Sequence, residues 1–130
     1  MTMEVICHGV PGGHPPAGHY SHSCRAGGLV FVSGQLPVVA GTAHRPDAPF
    51  EEQVTQVLQN LDACLQGAGI TRRQLAQVRV YITDMALWPV FDALYAQWIG
   101  ESRPARAVVG VAHLHYGFAL EVEAVALASD

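Results

Sequence analysis

The stretch Leu120-Glu121-Val122-Glu123-Ala124-Val125-Ala126-Leu127 decides how this chain is put together. Successive strand residues point to opposite sides. Val122, Ala124, Ala126 and then Ala128 would share one side; Glu121, Glu123, Val125 and Leu127 would share the other. Neither is a plain solvent face. A sheet containing this strand needs cover on both sides: helices on one, and association with further copies through the other.

Working outward, Arg103-Pro104-Ala105-Arg106-Ala107-Val108-Val109-Gly110-Val111 precedes it and predicts a strand over about 106–112. An arginine stands at the mouth of that apolar run, where charge needs a partner or a task. Further back, a helix is expected from about Leu87 to Ile99, with Leu87, Phe91, Leu94, Tyr95 and Trp98 on its apolar side, Pro89 in its first turn and Gly100 after it. Gln77–Thr83 alternates as a strand should. A longer helix opens at Pro49, carries Glu51 and Glu52 in its first turn, and buries Val54, Val57, Leu58, Leu61, Leu65 and Ala68, with Gly67 and Gly69 as stop signals. Tyr20–Arg25 and Leu29–Ser33 flank Ala26-Gly27-Gly28 as a hairpin, and residues 3–8 supply a first strand. Strands, helix, strand, helix and two strands make one α+β domain over 1–130, a single sheet with two helices on one face.

Composition excludes several function classes. The 130 residues are 50% hydrophobic and 14% charged, enough for a real core. All seven basic residues are arginines, and there is no lysine. That removes a Schiff-base lysine, pyridoxal phosphate and the Walker-type phosphate loop. A net charge of −4 without a basic run lacks the footprint of a nucleic-acid binder. Cys7, Cys24 and Cys64 have no metal or redox spacing and read as reduced thiols in a cytoplasmic protein. No signal peptide and no membrane helix are expected.

Four constellations can carry chemistry. Arg106 is either a strand-end arginine in a surface ion pair or a clamp for a small carboxylate, held by two parallel hydrogen bonds. Glu121 and Glu123 share a face; towards solvent they are ordinary, while towards a cavity their repulsion raises one pKa and suits that group to general acid/base work. If the last two strands paired across the loop 113–119, Arg106 would face about Val125 to Leu127 and Glu121 would face about Val111. The two would be offset by ~17 Å along the strands, so a shared site would need a neighbouring subunit. Ser33-Gly34 is either a strand-ending turn or a point of close ligand approach to the backbone. Tyr20, His22 and Cys24 are expected on one strand face. The group His14, His19, His22 and Cys24 matches no standard zinc spacing, so no metal site is expected.

Taken together, Gly18-His19-Tyr20-Ser21-His22, Val32-Ser33-Gly34-Gln35-Leu36-Pro37, the helix from Phe50 through Gly67-Ala68-Gly69, Val80-Tyr81-Ile82-Thr83-Asp84, Arg103-Pro104-Ala105-Arg106 and Glu121-Val122-Glu123-Ala124-Val125-Ala126 resemble the RidA (YjgF) family of enamine/imine deaminases over nearly the whole chain. The resemblance implies a chorismate-mutase-like fold, a homotrimer joined through the sheet, and sites in the clefts between subunits. It implies hydrolysis of 2-imino or 2-enamino acids to 2-oxo acids and ammonia, with no cofactor. By position, Arg106 would grip the substrate carboxylate and Glu121 would activate water. Tyr20, Ser33 and Gly34 would line the pocket, and the Val108 backbone would meet the reacting nitrogen. Asp92 would be a further substrate contact, standing where the best-known deaminase branch has asparagine, and Val108 stands where it has cysteine. A non-catalytic trimer that binds small carboxylates is the alternative.

Overall fold

The computed structural model describes residues 4–129. Its elements are β1 (Ile6–His8), β2 (Ser23–Ala26), β3 (Leu29–Gln35), α1 (Phe50–Gly67), β4 (Leu75–Ile82), α2 (Trp88–Ile99), β5 (Ala105–Gly110) and β6 (Leu120–Leu127). They form a six-stranded sheet in the order β1-β2-β3-β6-β4-β5. Met3, the expected start of the first strand, lies outside the described residues.

Period-2 patterning sorts the sheet into two faces. Val30, Val32, Val78, Val80, Ile82, Leu120, Val122, Ala124 and Ala126 are buried towards the helices. Val54, Val57, Leu58, Leu61 and Leu65 of α1 meet them, as do Phe91 and Tyr95 of α2. Truncating one fully buried leucine such as Leu61 would cost roughly 2–5 kcal/mol, because the lost contacts leave a cavity. The opposite face carries Leu29, Phe31, Val109 and Leu127, each 40–58% exposed, together with Arg79, Tyr81, Glu121 and Glu123. No element of the described chain covers it.

The supposed pairing of the last two strands is overturned. β5 lies parallel to β4, and β6 runs antiparallel between β3 and β4. The connection through α2 explains this: a strand–helix–strand crossover returns the chain parallel to its start. Chain proximity of β5 and β6 across a short loop suggested a hairpin, but β6 occupies the middle of the sheet instead.

Two buried or half-buried amides fix the loops that no periodicity describes. Gln53, 4% exposed, donates from Nε2 to Pro46 O and Ala48 O and accepts from Ala119 N. Asn60 Nδ2 donates to Leu36 O and Val38 O, both at 2.8 Å. Together they hang the segment 36–48 on α1 and tie α1 to the start of β6.

Candidate functional site

Arg106 lies on β5 opposite Val78, and so points to the helix side of the sheet. There its Nη1 donates to Asp92 Oδ1 of α2 at 2.7 Å, and its guanidinium carbon stands 5.0 Å from the centre of the Tyr95 ring. The ion pair expected of a strand-end arginine is therefore present, and its partner is a residue singled out as a ligand contact. The Tyr95 hydroxyl is buried without a hydrogen-bond partner among the described residues. Burial raises its pKa above the usual value, Arg106 opposes the shift and Asp92 adds to it. Val108 follows on the same side and packs against the core. β5 is an edge strand, so one flank of its backbone has no strand partner among the described residues.

Glu121 lies on β6 opposite Tyr81, on the open side. Its carboxylate approaches the backbone at Gly34, where an added Cβ would overlap Oε2. The register of β3 against β6 slips between Val32 and Gln35, so Ser33 and Gly34 form a bulge beneath that carboxylate. Glycine is required there by this close approach. Glu121 makes no hydrogen bond or ion pair among the described residues. Its pKa is raised, chiefly by desolvation; His115 works against the shift and Glu123 adds to it. Glu123, by contrast, is engaged: Tyr81 Oη donates to it, and Arg79 Nη1 is 3.8 Å away. The two carboxylates, equivalent in the sequence pattern, thus divide into one that is held and one that is free.

Ser33 Oγ donates to Ser21 O at 2.7 Å, which locks the bulge to the chain before β2. Tyr20 and His22 fall outside β2, contrary to their expected place on one strand face with Cys24. Tyr20 N turns back to Gly18 O, and its hydroxyl accepts from Ala17 N, so the chain is folded on itself there. Tyr20 and Gly34 border a cavity of about 210 Å³, walled by Val10, residues 13–17, Asn60, Cys64 and Tyr116. Tyr116 takes a left-handed conformation (φ 62°) and stacks on His44 with ring centres 4.1 Å apart. Sequence reasoning missed His115 and Tyr116 as neighbours of the site, because they lie in a loop that no periodicity describes.

The predicted residues therefore gather in two groups. Ser33, Gly34 and Glu121 form one, with Tyr20 across the cavity that Gly34 borders, and Asp92, Arg106 and Val108 form the other. Arg106 sits at the level of Val78 and Glu121 at that of Tyr81, about 10 Å apart along the strands and two strand spacings across. More decisively, they project from opposite faces of the sheet. The separation expected from a β5–β6 hairpin thus has a different cause, with the same consequence: one small molecule cannot touch both within a single chain. His14, His19, His22 and Cys24, whose spacing fits no standard zinc pattern, form no metal-ligating group among the described residues. His22 Nδ1 faces Cys64 Sγ at 4.0 Å, Cys24 faces Cys7, and no group of three metal-ligating side chains is formed. Among the described residues no helix is long and apolar enough to cross a membrane.

Comparison with known proteins agrees with this architecture. The family model described as endoribonuclease L-PSP matches residues 12–128. A RutC family protein of Pyrococcus horikoshii is 36% identical over 111 residues, spanning 85% of this chain and 88% of its relative. The crystal structure of E. coli TdcF with bound serine superposes with a TM-score of 0.88 at 30% identity, covering 95% of this chain and 98% of that one. RidA from an Antarctic Psychrobacter gives 0.86 at 28% identity, covering 92% and 97%. A match over 117 consecutive positions (12 to 128), with the same sheet and helices, leaves one assignment: the chain belongs to the endoribonuclease L-PSP family of the YjgF/RidA superfamily.

Proposed function

We propose that this protein hydrolyses 2-imino and 2-enamino acids to 2-oxo acids and ammonia, in clefts between the subunits of a homotrimer. The observation that carries the reading is Glu121: a half-buried carboxylate with a raised pKa and no structural hydrogen bond, beside a Glu123 that has two partners. A carboxylate of that kind is a stronger proton acceptor than an ordinary exposed glutamate. Arg106 supplies a cation for the substrate carboxylate. Since the two groups project from opposite faces, the site is completed when the open face of one subunit meets the β5 edge of another. Leu29, Phe31, Val109 and Leu127 give that face the apolar surface an assembly would bury.

In this reading Glu121 takes a proton from water as the oxygen adds to the imine carbon, and the C=N electron pair moves to nitrogen. Glu121 then returns that proton to the carbinolamine nitrogen, and as the C–N bond breaks and ammonia leaves, the hydroxyl proton passes back to the Glu121 carboxylate and the C=O bond forms. Tyr20, Ser33 and Gly34 shape the Glu121 side of the pocket, while Asp92 and the Val108 backbone belong to the Arg106 side. A protonated imine is already electrophilic, so positioning and one proton acceptor suffice and no cofactor is called for. The cytoplasm is the proposed compartment. The serine bound to E. coli TdcF is a small 2-amino carboxylate, a ligand of the size this reading requires.

A non-catalytic carboxylate-binding trimer is the second reading, favoured by one observation. Asp92 already occupies Arg106 and would lower the gain from binding a substrate carboxylate. RNA cleavage, the activity in the family's name, is not proposed. Arg45, Arg72, Arg79 and Arg106 are each in an ion pair, and the net charge is −4.

The test is direct. 2-Iminobutanoate, generated in situ from the amino acid by an oxidase, is followed with and without the protein. Faster loss of imine and matching release of 2-oxobutanoate are expected. Equal rates would overturn the deaminase reading on this substrate. Chemical crosslinking and sedimentation should give three subunits, and Phe31→Asp should dissociate them.

A further inference from the structure

Cys7 and Cys24 lie 17 positions apart in sequence but face each other directly across the antiparallel pair β1–β2. Their sulfurs are 3.6 Å apart. Directly opposed residues in such a pair have Cα atoms about 4.5–5.5 Å apart. That range lies inside the roughly 4.4–6.8 Å that a disulfide accepts. Opposed residues also project to the same side, so no backbone turn is needed to bring the sulfurs together. Cys7 is exposed and Cys24 is half-buried. The third cysteine offers no competition: Cys64 is buried in the core, and burial pushes its thiol up to about 12. It stays protonated, and the thiolate is the form that reacts.

We propose that Cys7 and Cys24 form a redox-active dithiol, oxidised to a cross-strand disulfide by low-molecular-weight disulfides such as oxidised glutathione. The exposed Cys7 sulfur, as thiolate, attacks one sulfur of glutathione disulfide. A mixed disulfide forms and one glutathione thiolate leaves. The Cys24 sulfur then attacks the Cys7 sulfur of the mixed disulfide and releases the second glutathione. Two electrons pass from the two cysteines to the glutathione disulfide, and the two thiol protons end on the two released glutathiones.

The position gives this bond a consequence. It closes the loop between β1 and β2, and that loop supplies Val10, Gly13, His14, Pro15, Pro16, Ala17 and Tyr20 to the wall of the 210 Å³ cavity. Ser21, whose Oγ is 3.2 Å from Cys24 Sγ, accepts at its carbonyl oxygen the Ser33 hydroxyl that locks the bulge under Glu121. Closing the bond restricts the loop most in states where β1 has left the sheet, since β1 pairs with β2 alone. The oxidised protein is the one with the tethered cavity wall.

The experiment uses the full-length protein equilibrated with reduced and oxidised glutathione at graded ratios, then quenched and analysed by intact mass and thiol counting. Reactive thiols of the unfolded, quenched chain should fall from three to one, with the mass of two hydrogens lost and a peptide pair linking Cys7 to Cys24. Cys7→Ser and Cys24→Ser should each accumulate a glutathione adduct in place of the internal bond, while Cys64→Ala should still form it. Oxidation should slow proteolytic cleavage within residues 9–18 of the wild type and leave cleavage of Cys7→Ser unchanged. Three thiols retained at every ratio, a stable mixed disulfide in the wild type, or a bond formed only in denaturant would each overturn the proposal. The outcome is independent of imine turnover, which the Cys7→Ser variant should retain.

Discussion

Arg106 and Glu121 are the two charged groups of the candidate site, and the fold treats them in opposite ways. Arg106 is given a carboxylate at 2.7 Å and an aromatic ring beneath it, on the helix side of an edge strand. Glu121 is given desolvation and a glycine bulge, on the open side of a central strand. A paired cation is held in place before any ligand arrives and has to exchange its partner. An unpaired, partly desolvated carboxylate costs folding free energy and is poised to take a proton. The contrast teaches that the fold stabilises one half of the site and leaves the other half strained.

The largest effects should come from removing either half. Glu121→Gln keeps the shape and deletes the proton acceptor, and kcat should fall by roughly 10²–10⁴. Arg106→Ala should lower kcat/KM on the order of 100-fold, because it removes a charge-assisted contact. Mixing the two variants in equal amounts sharpens the comparison. Random assembly restores both groups at roughly a quarter of inter-subunit sites, so activity should reappear in a mixture of two inactive proteins. A mixture as dead as its components would break the shared-site reading. Next in size, Gly34→Ala pushes the Glu121 carboxylate off the bulge and should lower kcat about tenfold with little change in KM. A matching rise in KM would show that Gly34 instead contacts substrate.

Stability separates the halves in the other direction. The raised pKa of Glu121 means that the folded state binds its proton more readily than the unfolded state. Its favourable contribution is present below the unfolded pKa of about 4.3 and is lost as pH rises through the folded value. Glu121→Gln should therefore melt slightly above the wild type at neutral pH, with the gain vanishing in acid. The acid limb of the wild-type kcat profile should lie above the ordinary glutamate range. A stability difference that grew on acidification would place the cost of Glu121 elsewhere.

How much of this could be read from the chain follows the range of each interaction. Elements set by local periodicity were legible: the α1 stripe Val54 to Leu65, Pro89 in the first turn of α2, and the two-sided strand Leu120–Leu127 all stand where the pattern puts them. Strand order was not, because nothing in Arg106–Ala112 says that its neighbour is β4 rather than β6; the crossover through α2 does. Within the site, the residue types at Arg106 and Glu121 were informative alone. The pairing of Arg106 with Asp92, the tie of Glu123 to Tyr81 and the meeting of Cys7 with Cys24 depend on register between distant segments, which spacing along the chain does not encode.

The smallest expected effect bears most directly on the contrast between the two charges. Asp92 is part-exposed, and its pair with Arg106 belongs to a class worth up to about 1 kcal/mol. A substrate carboxylate that takes over Arg106 has to displace Asp92 or share the guanidinium with it. Asp92→Asn retains an oxygen that can accept from Nη1 but removes the competing charge, so KM should fall by up to about fivefold while kcat stays near the wild-type value. Affinity for a 2-oxo acid product analogue, read by calorimetry, should rise by the same factor, since it depends on the same guanidinium. If instead KM rises, Asp92 is holding Arg106 in the binding geometry rather than competing for it. The two halves of the site would then be alike in one respect: each would depend on a carboxylate.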